Sequence, residues 1–179
     1  MTYIFLAEGF EEIEALTPLD LLRRAGVDVK TVGIGGKRIV GSHGIAVEAD
    51  LNENEINGPL DMIILPGGMP GTKNLMASET VMTAIHHAVQ ENAFIAAICA
   101  APMILGKLGM LKGAEAVCYP GFEEYLPESK ILNVPAVRAG KIITGAGMGA
   151  AVDFGLLLVA ALCGETVAEE LRHSIIADR

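Results

Sequence analysis

Two unbroken apolar runs constrain this chain more than anything else in it. Asp61-Met62-Ile63-Ile64-Leu65 stops at Pro66-Gly67-Gly68, and Phe94-Ile95-Ala96-Ala97-Ile98 stops at Cys99. Neither run alternates apolar with polar residues. Each therefore reads as a strand buried on both faces, the pattern of a parallel sheet covered by helices on either side. Between them Val81, Met82, Ile85, Ala88 and Val89 recur at helical spacing.

The rest of the chain repeats this alternation. Residues 3–7 and 27–34 read as strands, and residues 11–25 between them as a helix closed by Gly26. Pro18 lies beyond the first turn of that helix and argues for a kink. Ala15, Leu19 and Leu22 share one face, widened by Leu16 and Leu21, so the helix is expected to bury two sides and to offer a dimer face. A hairpin is expected around Gly41-Ser42-His43-Gly44 and another strand at 114–118. Strands at 134–138 and 142–144 flank a turn, before helices at 99–108, 150–162 and the C-terminal segment complete the reading. The expected fold is one α/β domain over residues 1–179, with no linker and no repeat.

Composition excludes several classes. The apolar share is 51%, yet only 4% is aromatic and Trp is absent, which suits strands and helices packed through Ala, Val, Ile and Leu and rules out disorder. The longest strongly apolar uncharged run, 93–106, contains Pro102 and falls short of the ~20 residues a membrane span needs. Residues 1–6 lack a basic segment and lead into Glu8, Glu11, Glu12 and Glu14, unlike a signal peptide. A net charge of −9 without a Lys/Arg cluster disfavours nucleic acid and anionic membranes as partners. Cys99, Cys118 and Cys163 form no CxxC, and read as free thiols of a cytoplasmic protein.

In an open α/β sheet, ligands bind beyond the carboxyl ends of the strands. Three peptides should gather there: the acidic segment 8–14, Pro66-Gly67-Gly68, and Ile98-Cys99-Ala100. Cys99 stands where a strand turns into a helix. Free amides and the helix dipole at such a junction favour a thiolate. The Ala100 amide would help form an oxyanion hole, with Gly68 as a second donor. The competing reading is an inert, packed thiol. Likewise Glu11 and Glu12 read as solvated acids that complement a helix N-terminus.

The string Ala96-Ala97-Ile98-Cys99-Ala100-Ala101-Pro102 resembles the cysteine motif of the ThiJ/PfpI superfamily, in the branch that holds the parkinsonism-associated protein deglycase and its bacterial relatives. Glu8-Gly9-Phe10-Glu11-Glu12-Ile13-Glu14, Leu21-Leu22-Arg23-Arg24-Ala25-Gly26 and Leu65-Pro66-Gly67-Gly68 agree in order and spacing, so the likeness spans essentially the whole chain. The resemblance implies a flavodoxin-like three-layer sandwich, and usually a homodimer. It also implies a nucleophile at Cys99 and an acid partner at Glu14. Gly67, Gly68 and Ala100 then supply the backbone of the pocket. Burial and a like charge would keep Glu14 protonated beside the sulfur.

Three departures narrow the reading. Tyr119 stands where the family often has a His, and Ala100 where its protease-like members carry one, so no peptidase dyad is formed. His43 stands where several relatives have Arg; it and Arg24 are candidates for a dimer contact or a partner's pocket, against the plainer reading of His43 as a surface turn residue. His86 and His87 are expected to face solvent, and no metal or other cofactor is assigned. Gly145-Ala146-Gly147-Met148-Gly149-Ala150 fits GxGxxA, but no βαβ unit follows it, so it reads as tight packing beside Cys99 rather than a dinucleotide loop.

Two functions stand at this point. One is a cofactor-free enzyme on α-oxoaldehydes, glyoxalase- or deglycase-like, in which Cys99 forms a hemithioacetal and Glu14 carries the protons. Its partners are small carbonyls or glycated thiols and amines, and the scarcity of aromatics favours a pocket for a two- or three-carbon carbonyl. The other is a non-catalytic oxidative-stress sensor whose Cys99 oxidises to a sulfinate.

Overall fold

The computed structural model describes residues 1–177; residues 178 and 179, the end of the expected domain, lie outside the described residues. Both apolar runs are interior strands. They are β6 (Met62–Leu65) and β7 (Phe94–Ile98), every residue of which is buried. Ahead of them come β1 (Thr2–Leu6), α1 (Glu12–Arg24), β2 (Val29–Gly33), β3 (Arg38–Val40), β4 (Ala46–Glu48) and β5 (Leu51–Asn52). Between β6 and β7 lie α2 (Gly71–Ala77) and α3 (Glu79–Gln90). Then follow α4 (Pro102–Lys107), β8 (Glu115–Ala116), β9 (Lys130–Ile131), β10 (Ala136–Ala139), β11 (Ile142–Gly145), α5 (Ala151–Cys163) and α6 (Glu165–Ser174).

The main sheet has the order β10-β11-β7-β6-β1-β2-β5. All its pairings are parallel except β10–β11, which closes one edge as an antiparallel hairpin. Alternation along each strand divides the core in two. Tyr3, Phe5, Ile63, Leu65, Ile95 and Ala97 pack under α2, α3 and α4. Ile4, Leu6, Met62, Ile64, Ala96 and Ile98 pack under α1, α5 and α6. The result is the flavodoxin-like three-layer sandwich, with a central sheet apolar on both faces because both faces are covered. Each large side chain so buried contributes about 1.5–3 kcal/mol of transfer free energy.

Several expectations needed correction in detail. The strand at 114–118 is only β8, two residues that pair with β9 in a separate small sheet, because Val117 instead gives its amide to the Thr144 hydroxyl at 3.0 Å. Helix α4 begins at Pro102 rather than Cys99, since the Ala101 amide turns back to the Ile98 carbonyl at 3.0 Å. Helix α1 runs through Pro18, which faces α5 where Gly155 leaves room: a Cβ on Gly155 would sit 2.6 Å from Leu21 and 3.3 Å from the Pro18 backbone. Gly26 follows the end of α1 at φ +77°, the left-handed stop expected of it. Among the described residues, no helix is long and apolar enough to cross a membrane.

Candidate active site

Register decides where the site lies. Leu65 pairs with Ala97, and Ile98 with Gly145, so β6, β7 and β11 end at one level. The chain segments leaving them converge there. The Glu11 amide donates to the Gly67 carbonyl at 2.9 Å, and the Gly67 amide to Glu14 Oε2 at 3.0 Å. The Cys99 amide donates to the Gly145 carbonyl at 2.9 Å. The three peptides expected at the strand ends therefore meet, and the loop after β11 joins them.

Cys99 occupies the left-handed region at φ +65°, which few residues other than Gly adopt without strain. Its amide is bound to Gly145 and its carbonyl accepts from the Tyr119 amide at 2.8 Å, so the strained turn is held from both sides. The side chain is partly exposed and is a hydrogen-bond partner of the Glu14 carboxyl. The Ala100 and Gly68 amides also point to the sulfur. Gly67 must lack a side chain: a Cβ there would lie 2.5 Å from Glu14 Oε2 and 2.6 Å from the Cys99 Cβ. At Gly68, φ is +89° and a Cβ would run into the Gly9–Glu11 backbone.

The electrostatics differ from the sequence expectation. Burial, the Glu14 charge and the hydrogen bond to Glu14 push the Cys99 thiol up to about 12, against the lowering effect of the Ala100 and Gly68 amides. The helix N-terminus expected at Cys99 lies further along the chain. Helix α4 starts three residues later, is six residues long, and has a proline at its first position. Glu14 itself is 1% exposed, and burial lifts its carboxyl to about 7, with the Glu11 charge adding to the rise. The thiol and the Gly67 and Met148 amides act in the opposite direction. Carboxyl and thiol thus form a coupled pair, both pushed up by burial.

The remaining sequence candidates fall on either side of this centre. Tyr119 flanks it: its ring would lie 3.3 Å from a Cβ on Gly147, which in turn would be 3.9 Å from Glu14 Oε1. Arg24 is not brought in. It ion-pairs with Asp20 at 2.6 Å on the surface of α1, about 15 Å of helix rise beyond Glu14. His43 sits on the β3–β4 turn, bound to Glu12 Oε2 at 2.9 Å. His86 and His87 are exposed on α3.

Glu11 and Glu12 are not the solvated acids expected of them. The Glu11 carboxylate caps α1 by accepting from the Glu14 amide at 2.7 Å. Glu12 is 2% exposed and accepts from the His43 and Ile45 amides, the His43 ring and the Ser42 hydroxyl. Atoms of Glu11, Glu12 and His43 come within 4.8 Å of one another, but the oxygens of Glu12 already have protein donors. The Met148 amide, a further donor to Glu14, had one sign in the sequence: the GxGxxA string, whose Gly145 packs against Ile98 and Phe154.

The comparisons with known proteins agree on the family. The model of the DJ-1/PfpI family matches residues 2–161. The chain is 32% identical over 179 residues to the Parkinson disease protein 7 homolog of Danio rerio, covering 97% of this chain and 95% of that one. It is 30% identical over 126 residues to a deglycase of Pyrococcus horikoshii, 69% of this chain and 75% of the other. Among solved structures, a DJ-1 superfamily protein of Salmonella typhimurium superposes with a TM-score of 0.92 at 34% identity, over 98% of this chain and 97% of that one.

Proposed function

The chain belongs to the DJ-1/PfpI family, and from that premise we propose that it is a cofactor-independent cysteine enzyme acting on α-oxoaldehydes or on the early glycation adducts they leave on thiols and amines. One observation carries the reading: a thiol held at a strained turn, hydrogen-bonded to a buried carboxyl and faced by two backbone amides. The similarity to a deglycase at 30% identity supports the same chemistry.

The pKa order sets the roles. Above about pH 7 the pair consists of a Glu14 carboxylate and a neutral Cys99 thiol. The carboxylate takes the thiol proton as sulfur bonds to the aldehyde carbon. That proton passes to the aldehyde oxygen, which the Gly68 and Ala100 amides stabilise while it carries charge. In the resulting hemithioacetal of methylglyoxal, Glu14 moves the C1 proton to C2 through an enediol, giving a lactoyl thioester. Water then releases lactate and restores the thiol. The aldehyde carbon is oxidised as its neighbour is reduced, so no outside oxidant is consumed.

A second copy of the chain is the proposed partner. Ile13, Met69, Tyr119, Ile45 and Met148, on segments that build the site or its neighbouring turn, have 39–54% of their surface exposed, apolar surface that a homodimer would cover. The expected compartment is the cytoplasm. The deciding experiment is lactate formation from methylglyoxal without glutathione. Turnover by the wild type and its loss in Cys99→Ala are expected; equal rates in the two would overturn the proposal.

A further inference from the structure

Glu12 is a buried charge with no part in the chemistry above, although it lies only two residues before Glu14. Its oxygens gather the turn between β3 and β4. The His43 amide donates at 2.8 Å, the His43 ring lies at 2.9 Å, and the Ile45 amide and Ser42 hydroxyl lie at 3.4 Å. The fit is close: a Cβ on Gly41 would collide with the Glu12 carboxyl. Other bonds extend the seam. Ser42 donates its amide to the Phe10 carbonyl at 2.8 Å, Gly9 to the Val40 carbonyl at 2.8 Å, and Val40 to Glu8 Oε1 at 3.1 Å.

Residues 9–11 are thereby held between two layers. On one side lies the turn that Glu12 gathers. On the other is Gly68, where a Cβ would lie 2.6 Å from the Gly9 carbonyl oxygen and 2.7 Å from the Phe10 backbone. Gly68 is also the residue whose amide faces the Cys99 sulfur. The Glu11 amide ties the same strap to Gly67, and Gly67 holds Glu14. A displacement of the strap would therefore reach both the donor and the proton carrier.

We infer that Glu12 is a positioning residue for the Cys99 centre, seating the β3–β4 turn on residues 9–11 and so fixing the Gly68 amide and the Glu14 carboxyl relative to the sulfur. A misalignment on the order of 1 Å at a reacting centre can cost about a hundredfold in rate, so a partial slip of the strap is enough to be seen. The inference rests on the proposed roles of Cys99 and Glu14.

The test compares Glu12→Ala and Glu12→Asp, which remove or shorten the reach to the turn, with Glu12→Gln, which keeps an acceptor for the backbone amides. Two readouts are taken on folded protein: kcat and KM for methylglyoxal, and the pH profile of Cys99 alkylation by iodoacetamide, followed by intact mass. In Glu12→Ala and Glu12→Asp, kcat is expected to fall about tenfold with KM changed less than about twofold, and the Glu14-linked step of the alkylation profile should move. Glu12→Gln should stay within about twofold of wild type in both readouts. If Glu12→Ala does not accumulate as folded protein, Glu12→Asp carries the comparison. A variant that melts earlier but keeps wild-type kcat and alkylation profile would reduce Glu12 to a purely structural role and overturn the inference. Equal losses in Glu12→Gln and Glu12→Ala would also overturn it. If wild type does not turn over methylglyoxal, the proposed substrate class falls, while the alkylation profile still decides the positioning role.

Discussion

Glu12 and Glu14 sit two residues apart in the first turn of α1, one 2% and the other 1% exposed, yet their carboxyls are driven in opposite directions. Burial opposes ionisation at both. At Glu12 the bonds from the His43 ring and from the His43 and Ile45 amides outweigh it, and the carboxyl is lowered. At Glu14 burial prevails and the carboxyl rises to about 7. Its neighbours there are the negative charge of Glu11, a thiol, which is a weak donor, and the Gly67 and Met148 amides, which do not outweigh burial. A His ring among the donors lowers one buried carboxyl, while a like charge beside the other adds to the rise that burial causes.

The sharpest way to break this contrast is Glu14→Gln. The amide can still accept from Gly67 but carries no proton between sulfur and substrate, so turnover should fall by about a hundredfold or more. Steady-state kinetics on methylglyoxal checks this, and a loss no larger than that of Glu12→Gln would erase the distinction between the two acids.

Next in size is Gly67→Ala. Its new methyl would press on both Glu14 and Cys99, with an expected cost of about 1–3 kcal/mol in a denaturant melt together with a fall in kcat.

A pH profile sharpens the comparison further. In the proposed mechanism the active form carries a Glu14 carboxylate, so kcat/KM is expected to rise with pH through about 7. A rate already level from pH 5 upward would contradict that assignment.

The smallest effects are on stability. Glu14 has a raised folded pKa, so the folded state holds a proton that the unfolded state has lost. Its contribution is complete below its ordinary value of 4.5 and disappears as pH rises towards about 7. Glu12 runs the other way: its contribution is present above 4.5 and is lost as pH falls through its lowered folded value. Thermal melts across pH 3–8 should therefore show Glu14→Gln removing a downward slope between about 4.5 and 7, and Glu12→Gln narrowing the acid-side gain.

Much of the fold could be read from residue order. The unbroken apolar strands β6 and β7 required cover on both faces, Gly26 marked the end of α1, and the hairpin around residues 41–44 formed as expected. Helix α2 and strand β5 went unread, because seven and two residues respectively are too short to show a period. At the site, turn chemistry and resemblance brought out Cys99, Gly67, Gly68 and Ala100, while the start of α4 was placed three residues too early. Burial and the neighbouring Glu14 charge, both set by tertiary packing, push the thiol up instead.

What the sequence determined alone was the sheet and the place of Cys99 at a strand end, since burial on both faces and turn residues are local properties of the chain. Which glutamate anchors and which exchanges protons was decided only by tertiary structure. Four glutamates in seven positions look alike in sequence. A carboxyl's ionisation depends on the donors that distant segments bring to it: the turn after β3 for Glu12, and Cys99, Gly67 and Met148 for Glu14.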